Sequence, residues 1–303
     1  MRVLDDAARR LLDRLALHVR PGATATRQGG HRSPVLASGV EFADHRAYVP
    51  GDDFRRIDWK KFAQNGVLVL RQFEEERDAR IYVMLDLSGS MLLPQGSALD
   101  PRGGKPSKLE VGKRIAAAFA YVGMKRFDRS IVLPFGGDLG RESRPLRTGA
   151  DLPDVDRFLT ECSAGGVTHL PQAVRTLAER FPKRGLVVVV SDLMKPEGFP
   201  EAFRTLGALG HELRVVHLSC EEDRQPKLEG ELELFDAESG QTVRLRMSKD
   251  LARAYTKIVD AHVKSCREAC RRAGGRFVEI EVEASGEQQL KRAFAGHEKG
   301  KAA

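Results

Sequence analysis

Ala-Arg-Ile-Tyr-Val-Met-Leu-Asp-Leu-Ser-Gly-Ser-Met, residues 79–91, is the segment from which the fold class follows. Its apolar run Ile81–Leu85 contains β-branched and aromatic residues and is preceded by charged ones, a pattern typical of a strand buried on both faces. Asp86 ends the run, and Ser88 and Ser90 follow at every second position. The segment therefore predicts an inner strand with a carboxylate and two hydroxyls at its C-terminal end.

Strand and helix patterns alternate from residue 80 onward, which is the signature of a parallel sheet with crossover helices. Further strands are predicted at Ile131–Phe135, Gly185–Val190, Glu212–Leu218 and Arg276–Val282, with helices between them. The valine-rich run Gly185–Val190 is predicted to be central, and the short, charged Glu142–Arg147 to be an edge strand. The predicted fold class is α/β, with a doubly wound, mostly parallel sheet and one antiparallel edge strand.

Three parts are predicted along the 303-residue chain. They are an N-terminal extension (1–77), the α/β domain (78–296) with an inserted β-hairpin at about 228–246, and a loose tail (297–303). The extension contains a helix over Leu4–Val19 and an irregular loop over Gly22–Val40, which is rich in Gly, Ser and Thr. The chain is therefore expected to carry additions at both ends of its α/β core and one insertion within it.

The segment Gly39–Gln72 mixes charges of both signs around a Pro50-Gly51 turn. Asp52 or Asp53 is predicted to cap a short following helix, and Trp59, the one tryptophan, to be its buried hydrophobic anchor. We interpret the segment as a structural clip, and a binding surface remains the alternative.

Composition bounds the class of protein. A hydrophobic content of 41% and a charged content of 31% are typical of a globular chain, and no apolar stretch reaches the roughly 18 residues of a membrane span. The N-terminus does not resemble a secretory signal, and the four scattered cysteines indicate reduced thiols, so the expected location is the cytoplasm. The net charge of +7 is dispersed among acidic residues and identifies no polyanionic partner.

Two more oxygen side chains are predicted at the same edge of the sheet as Asp86. Thr168 closes a glycine-rich loop before a helix, and Asp192 directly follows the valine-rich strand. The carboxyl ends of parallel strands share one edge, where ligands bind in open α/β sheets. Asp86, Ser88, Ser90, Thr168 and Asp192 therefore form a candidate metal site. Hard oxygen ligands of this kind suit Mg²⁺, or Mn²⁺, better than zinc.

Residues 80–220 resemble the von Willebrand factor A domain with a complete metal-ion-dependent adhesion site. Residues 39–76, with Val-Glu-Phe-Ala-Asp-His-Arg, Pro-Gly-Asp-Asp and Arg-Ile-Asp-Trp, resemble the prokaryotic branch known as domain of unknown function 58. The resemblance implies a divalent metal, usually Mg²⁺, held by the five residues just named. It also implies a MoxR-type AAA+ ATPase as partner, together with a client protein.

Three functions follow as hypotheses. The leading one is a non-enzymatic, metal-dependent protein-interaction module, an adaptor or co-chaperone of the ATPase that binds an acidic side chain of a partner through the metal. A metal-dependent phosphohydrolase is the first alternative, because an Asp at a strand end is also the nucleophile of aspartyl-phosphate enzymes, although Ser88 stands where those carry a second Asp. Nucleic-acid binding is the other. It would use the basic residues Arg20, Arg27, Arg32, Arg55, Arg56, Lys60 and Lys61.

Overall fold

The structure is a computed structural model that describes residues 3–18, 40–49, 54, 57–75, 80–94, 105–126, 129–195, 197–224, 230–236 and 240–295. It comprises two compact units, one of residues 25–78 and one of residues 1–24 with 79–303. Several predicted features lie outside the described residues: most of the 22–40 loop, the Pro50-Gly51 turn with Asp52 and Asp53, and the 297–303 tail.

The elements of the described residues agree closely with those predicted. The strands are β1 (Val40–Ala47), β2 (Val69–Glu75), β3 (Arg80–Asp86), β4 (Arg129–Phe135), β5 (Leu186–Ser191), β6 (Glu212–Ser219), β7 (Gly230–Phe235), β8 (Thr242–Met247) and β9 (Arg276–Glu281). The helices are α1 (Asp6–His18), α2 (Trp59–Asn65), α3 (Lys108–Arg126), α4 (Leu152–Glu161), α5 (Leu170–Arg180), α6 (Phe199–Ala208), α7 (Glu221–Arg224), α8 (Lys249–Arg272) and α9 (Gly286–Phe294).

A parallel sheet with the strand order β4-β3-β5-β6-β9 forms the centre of the larger unit. Successive residues of a strand point to opposite faces. Val83 and Leu85 of β3 accordingly lie in one buried cluster with residues of α3, whereas Tyr82 and Met84 lie in a second cluster with residues of α5 and α6. Both faces are covered by helices, so the doubly wound α/β prediction is confirmed, with β5 at the centre.

The antiparallel edge is present in irregular form. The segment after β4 returns beside it and makes isolated bridges, Phe135 with Leu139 and Ser130 with Leu146, instead of a continuous Glu142–Arg147 strand. Pro134 lies in β4 and has no N–H to donate to a ladder. At one position of the ladder a side chain takes the place of a backbone carbonyl as acceptor, since Val132 N donates to Ser143 Oγ at 2.9 Å.

Helix α1 belongs to the larger unit, although the sequence grouped it with the N-terminal extension. Leu4, Leu11 and Leu12 are buried in the same cluster as residues of α3 and α9. The Tyr121 hydroxyl on α3 also donates to Asp13 at 2.8 Å. The apolar stripe of α1 thus packs against helices α3 and α9 of the larger unit rather than belonging to the segment that follows it.

The smaller unit is built on the antiparallel pair β1–β2 and the short helix α2. Asp58 caps α2 by accepting from Lys60 N and Lys61 N, both at 3.1 Å. Ile57 and Leu70 pair across a bridge and are buried. Trp59 is 57% exposed, so the prediction that it is a buried anchor is wrong.

We expect Trp59→Ala to change the free energy of unfolding by no more than about 0.5 kcal/mol, because an exposed side chain has little packing to lose. Leu70→Ala is the matched control. It removes a buried side chain from the same unit and should cost about 2–5 kcal/mol. Denaturant titrations of the two variants distinguish these outcomes. A loss in Trp59→Ala as large as that in Leu70→Ala would restore the anchor role.

The predicted hairpin insertion is confirmed as the antiparallel pair β7–β8. It follows α7 and precedes α8, which Ser248 caps by accepting from Leu251 N at 3.2 Å. Among the helices that the structure describes, none is both long enough and apolar enough to cross a membrane.

Candidate functional site

Asp86 lies at the C-terminal end of β3 and is fully buried. Its Oδ1 atom accepts hydrogen bonds from Ser88 N at 2.9 Å and from Thr168 Oγ1 at 3.1 Å. Its Oδ2 atom accepts from Ser191 Oγ at 2.6 Å. The parallel pairing of β3 with β5 places Ser191 beside Asp86, so the sheet itself positions this carboxylate.

The two serine hydroxyls lie on the turn after β3. Ser88 Oγ and Ser90 Oγ are 3.1 Å apart, and Ser90 belongs to the 3-10 turn Gly89–Leu92. Two backbone hydrogen bonds join this turn to the glycine-rich loop that carries Thr168. Gly89 N donates to Gly166 O at 3.1 Å, and Gly165 N donates to Leu87 O at 2.8 Å. Gly166 has a φ of 79°, a left-handed conformation that glycine adopts without strain.

Asp192 follows β5 and is paired with a buried lysine. Lys108 Nζ, at the start of α3, forms an ion pair with Asp192 Oδ2 at 2.7 Å. The same ammonium donates to Asp223 Oδ2 at 2.9 Å and to Oδ1 at 3.2 Å. Burial acts to lower the pKa of Lys108, but the charges of Asp192 and Asp223 outweigh it and raise the pKa above its usual range. Lys108 is therefore a cation inside the protein.

Asp86 is a buried carboxylate that the neighbouring negative charge of Asp192 repels. Burial and then the charge of Asp192 raise the pKa of Asp86 to about 7, against the opposing hydrogen bonds from Ser191 and Ser88. Two acids that disfavour each other's ionised form gain most from a cation placed between them.

The backbone between Asp192 and α6 is held in an unusual conformation. Leu193 has a φ of 54°, a left-handed value that is costly for a branched side chain, and it is fully buried. Its N–H donates to Ser191 Oγ at 3.0 Å, and its carbonyl lies 2.7 Å from His262 Nε2 of α8. These contacts stabilise the turn that carries Asp192, so the site is ordered by its surroundings.

The donor set of the site fits a hard divalent cation. Asp86, Ser88, Ser90, Thr168 and Asp192 supply oxygen atoms only. The first four are linked by the hydrogen bonds given above, and Asp192 is near enough for its charge to raise the pKa of Asp86. Thr168 donates its proton to Asp86 and keeps its oxygen lone pairs available. The described residues contain no group of three or more His, Cys, Asp or Glu side chains suited to a metal. A metal here would thus depend on the hydroxyls as well as the two carboxylates, as Mg²⁺ sites allow.

The structure brings together the residues that the sequence singled out, and that they bind a metal remains a prediction. It adds three that sequence reasoning missed. Ser191 could have been found from the sequence, because it directly precedes Asp192 at the strand end. Nothing in the sequence around Lys108 or Asp223 indicates that these charged side chains are buried. His169, the residue after Thr168 and the imidazole that an enzyme would have to use as a base, is exposed and caps α5, where its Nδ1 accepts from Gln172 N at 3.2 Å.

Comparison with known proteins gives relatives whose functions are not established. The uncharacterized protein Rv1480 of Mycobacterium tuberculosis is 24% identical over 291 residues, which cover 94% of this chain and 88% of that protein. An uncharacterized protein of Mycobacterium bovis, Mb1516, matches equally well.

Solved structures similar to the chain include the following two proteins. The conserved hypothetical protein BatB from Bacteroides thetaiotaomicron is 19% identical, with a TM-score of 0.43, over 72% of this chain and 98% of that one. A von Willebrand factor type A protein from Catenulispora acidiphila is 12% identical, with a TM-score of 0.44, over 76% and 44% of the two chains.

A protein-family model covers most of the chain. The model described as "Protein of unknown function DUF58" matches residues 44–265, from the smaller unit through strands β3 to β8 and into α8. The match includes every residue of the candidate site. The chain therefore belongs to the DUF58 family, as the motifs of residues 39–76 indicated.

Proposed function

We propose that this protein is a non-enzymatic protein-interaction module whose partner binding depends on a divalent cation, Mg²⁺ or Mn²⁺, held by the five site residues. The observation that carries the proposal is the buried Asp86 carboxylate, which accepts three hydrogen bonds and is repelled by Asp192. A buried charge of this kind is costly unless something compensates it. A bound cation would supply that compensation.

The side chains have separate tasks in this proposal. Ser88, Ser90 and Thr168 would offer hydroxyl oxygens to the metal, while Asp86 and Asp192 would balance its charge. When bound, the metal would present a positive charge to an acidic group of a partner. Ser191 and the backbone of Ser88 orient the Asp86 carboxylate, so the protein pre-forms the site instead of ordering it on binding.

A cavity beside the site provides space for part of a partner. Its volume is about 340 Å³, and its lining includes His169, Arg175, Lys195 and Glu201. Lys195 Nζ donates to the carbonyl oxygen of Thr168 at 3.0 Å, so a residue of the cavity lining contacts the backbone of a site residue. A partner side chain beside the metal would therefore have both basic and acidic groups to pair with.

We propose a MoxR-type AAA+ ATPase as the partner and a further protein as the client. The support is the resemblance of residues 39–76 and the family membership. The sequence contains no Gly-x-x-x-x-Gly-Lys-Ser/Thr phosphate loop, so the partner would supply the ATP hydrolysis. All four cysteines are free thiols, which favours a reducing compartment such as the cytoplasm. Of the basic residues behind the nucleic-acid alternative, only Lys60 and Lys61 are described. Lys60 is exposed and Lys61 is half-buried.

The partner proposal is tested by binding the full chain to the MoxR-type ATPase of the same genome, with Mg²⁺ or with EDTA. We expect capture in Mg²⁺, loss in EDTA and loss in Asp86→Asn. Asp138→Asn, which removes an exposed carboxylate, is the matched control and should bind like the parent. Capture that is indifferent to both metal and Asp86 would contradict a metal-dependent interaction.

We expect no hydrolysis of phosphomonoesters or nucleotides by the purified chain with Mg²⁺ or Mn²⁺, above the level of an Asp86→Ala control. The hydroxyls around Asp86 are poor bases at neutral pH, and Asp192 is paired with Lys108. A metal-assisted hydrolase needs an activated water and a base. Metal-dependent turnover that disappears in both Asp86→Ala and His169→Ala would establish the enzyme alternative instead.

A further inference from the structure

Lys108 is a buried charge beside the site that the proposed function does not use. Its side chain is 0% exposed and contacts two carboxylates, Asp192 at 2.7 Å and Asp223 at 2.9 Å. A lysine is almost never fully buried unless it is paired. Its position at the first residue of α3 fixes the ammonium between the candidate site and α7.

Asp223 is held independently of the metal site. It lies on α7 and accepts a hydrogen bond from Cys220 N at 3.2 Å, in addition to those from Lys108. Asp192 in turn belongs to the turn after β5. Lys108 is thus shared by one carboxylate of the proposed site and one outside it.

We propose that Lys108 is a resident counter-cation that competes with the bound metal for Asp192. Asp223 limits this competition, because it pairs with the same ammonium. The inference rests on the proposed function, because it concerns the affinity of that same site. Lys108 is thereby a positioning and affinity-setting residue for the metal and not one of its ligands.

The charges of the cluster give the expected direction. Asp86, Asp192 and Asp223 with Lys108 carry a net charge of −2 when ionised, which one divalent cation balances. An ammonium at 2.7 Å from Asp192 Oδ2 also repels a cation that approaches the same oxygen. Removing the ammonium should therefore tighten metal binding, whereas removing Asp223 leaves the ammonium to Asp192 alone and should weaken it.

A lysine with only a structural role would give a different pattern of metal affinities in the variants. If Lys108 only supported the packing of α3, then Lys108→Met and Asp223→Asn would both disturb the site, and both would weaken metal binding. The opposite signs of the two effects are what separate the proposal from that reading.

The experiment is calorimetric titration of the full chain with Mg²⁺ at pH 8, for the parent, Lys108→Met, Asp223→Asn and the double variant. A charge a few ångströms away changes the ion affinity of a carboxyl by roughly ten- to a thousandfold. We expect Lys108→Met to lower the Kd for Mg²⁺ by at least about tenfold and Asp223→Asn to raise it. The double variant removes one charge of each sign, keeps the net charge at −2, and should fold even where Lys108→Met does not. Its Kd should also lie below that of the parent.

The outcomes separate this inference from the function on which it rests. A parent that binds Mg²⁺, with a double variant that binds it equally or more weakly, would overturn the role of Lys108 and leave the metal site standing. A parent that shows no Mg²⁺ binding would overturn both.

Discussion

Replacing Asp86 by asparagine is expected to abolish Mg²⁺ binding and, in metal-free protein at pH 8, to raise the melting temperature. The carboxylate is buried and close enough to Asp192 that its pKa is raised to about 7. At pH 8 the folded protein therefore carries the ionised form at a cost in free energy relative to the unfolded chain. Asparagine has nearly the same shape and keeps an oxygen for Ser88 N and Thr168 Oγ1. It removes the charge and keeps these two hydrogen bonds, while the third reverses its direction, because the Asn amide nitrogen can only donate to Ser191 Oγ.

The measurement is a thermal melt of parent and Asp86→Asn in EDTA and in Mg²⁺. Mg²⁺ should raise the melting temperature of the parent, because a ligand that binds only the folded state stabilises it. It should leave Asp86→Asn unchanged. The expectation fails if Asp86→Asn melts below the parent in EDTA, because Asp86 would then be needed first for the fold.

The second large effect is a loss of stability with rising pH in the metal-free parent. The unfolded chain releases the Asp86 proton near pH 3.9, whereas in the folded protein the pKa is raised to about 7. Between these values the folded state holds the extra proton, so a rise in pH favours the unfolded state. The contribution of Asp86 to stability is full below pH 3.9, falls through this window and is lost above pH 7.

Denaturant titrations in EDTA at pH 5 and pH 8, on the parent and on Asp86→Asn, isolate this contribution. From pH 5 to pH 8 the free energy of unfolding should fall by more in the parent than in the variant. Mg²⁺ at pH 8 should restore part of the parent's loss. Equal pH dependence in parent and variant would mean that Asp86 is not the group responsible.

The sheet could be predicted because the apolar sequence of its inner strands indicates that they are buried. The runs Ile81–Leu85 and Gly185–Val190 are apolar on both faces, as only inner strands of a covered sheet are. The candidate site followed from topology, since β3 and β5 are parallel neighbours whose ends meet at one edge.

The rest depended on contacts that no local pattern encodes. A lysine at the start of a helix is normally solvated. Lys108 is buried because Asp192 and Asp223, which is 115 residues later in the chain, both pair with it. Trp59 was expected to be buried because aromatic residues usually are, but α2 has seven residues and none of them is buried. The edge strand failed as a regular strand because Pro134 interrupts the ladder of its neighbour.

The most direct test of the metal-dependent account is calorimetric titration of the full chain with Mg²⁺, alongside Asp86→Asn and the exposed control Asp138→Asn. We expect one Mg²⁺ per chain in the parent and in Asp138→Asn, and none in Asp86→Asn. Mg²⁺ binding that is the same in all three proteins, or absent from the parent, would contradict the central claim that Asp86 anchors a divalent cation at the end of β3.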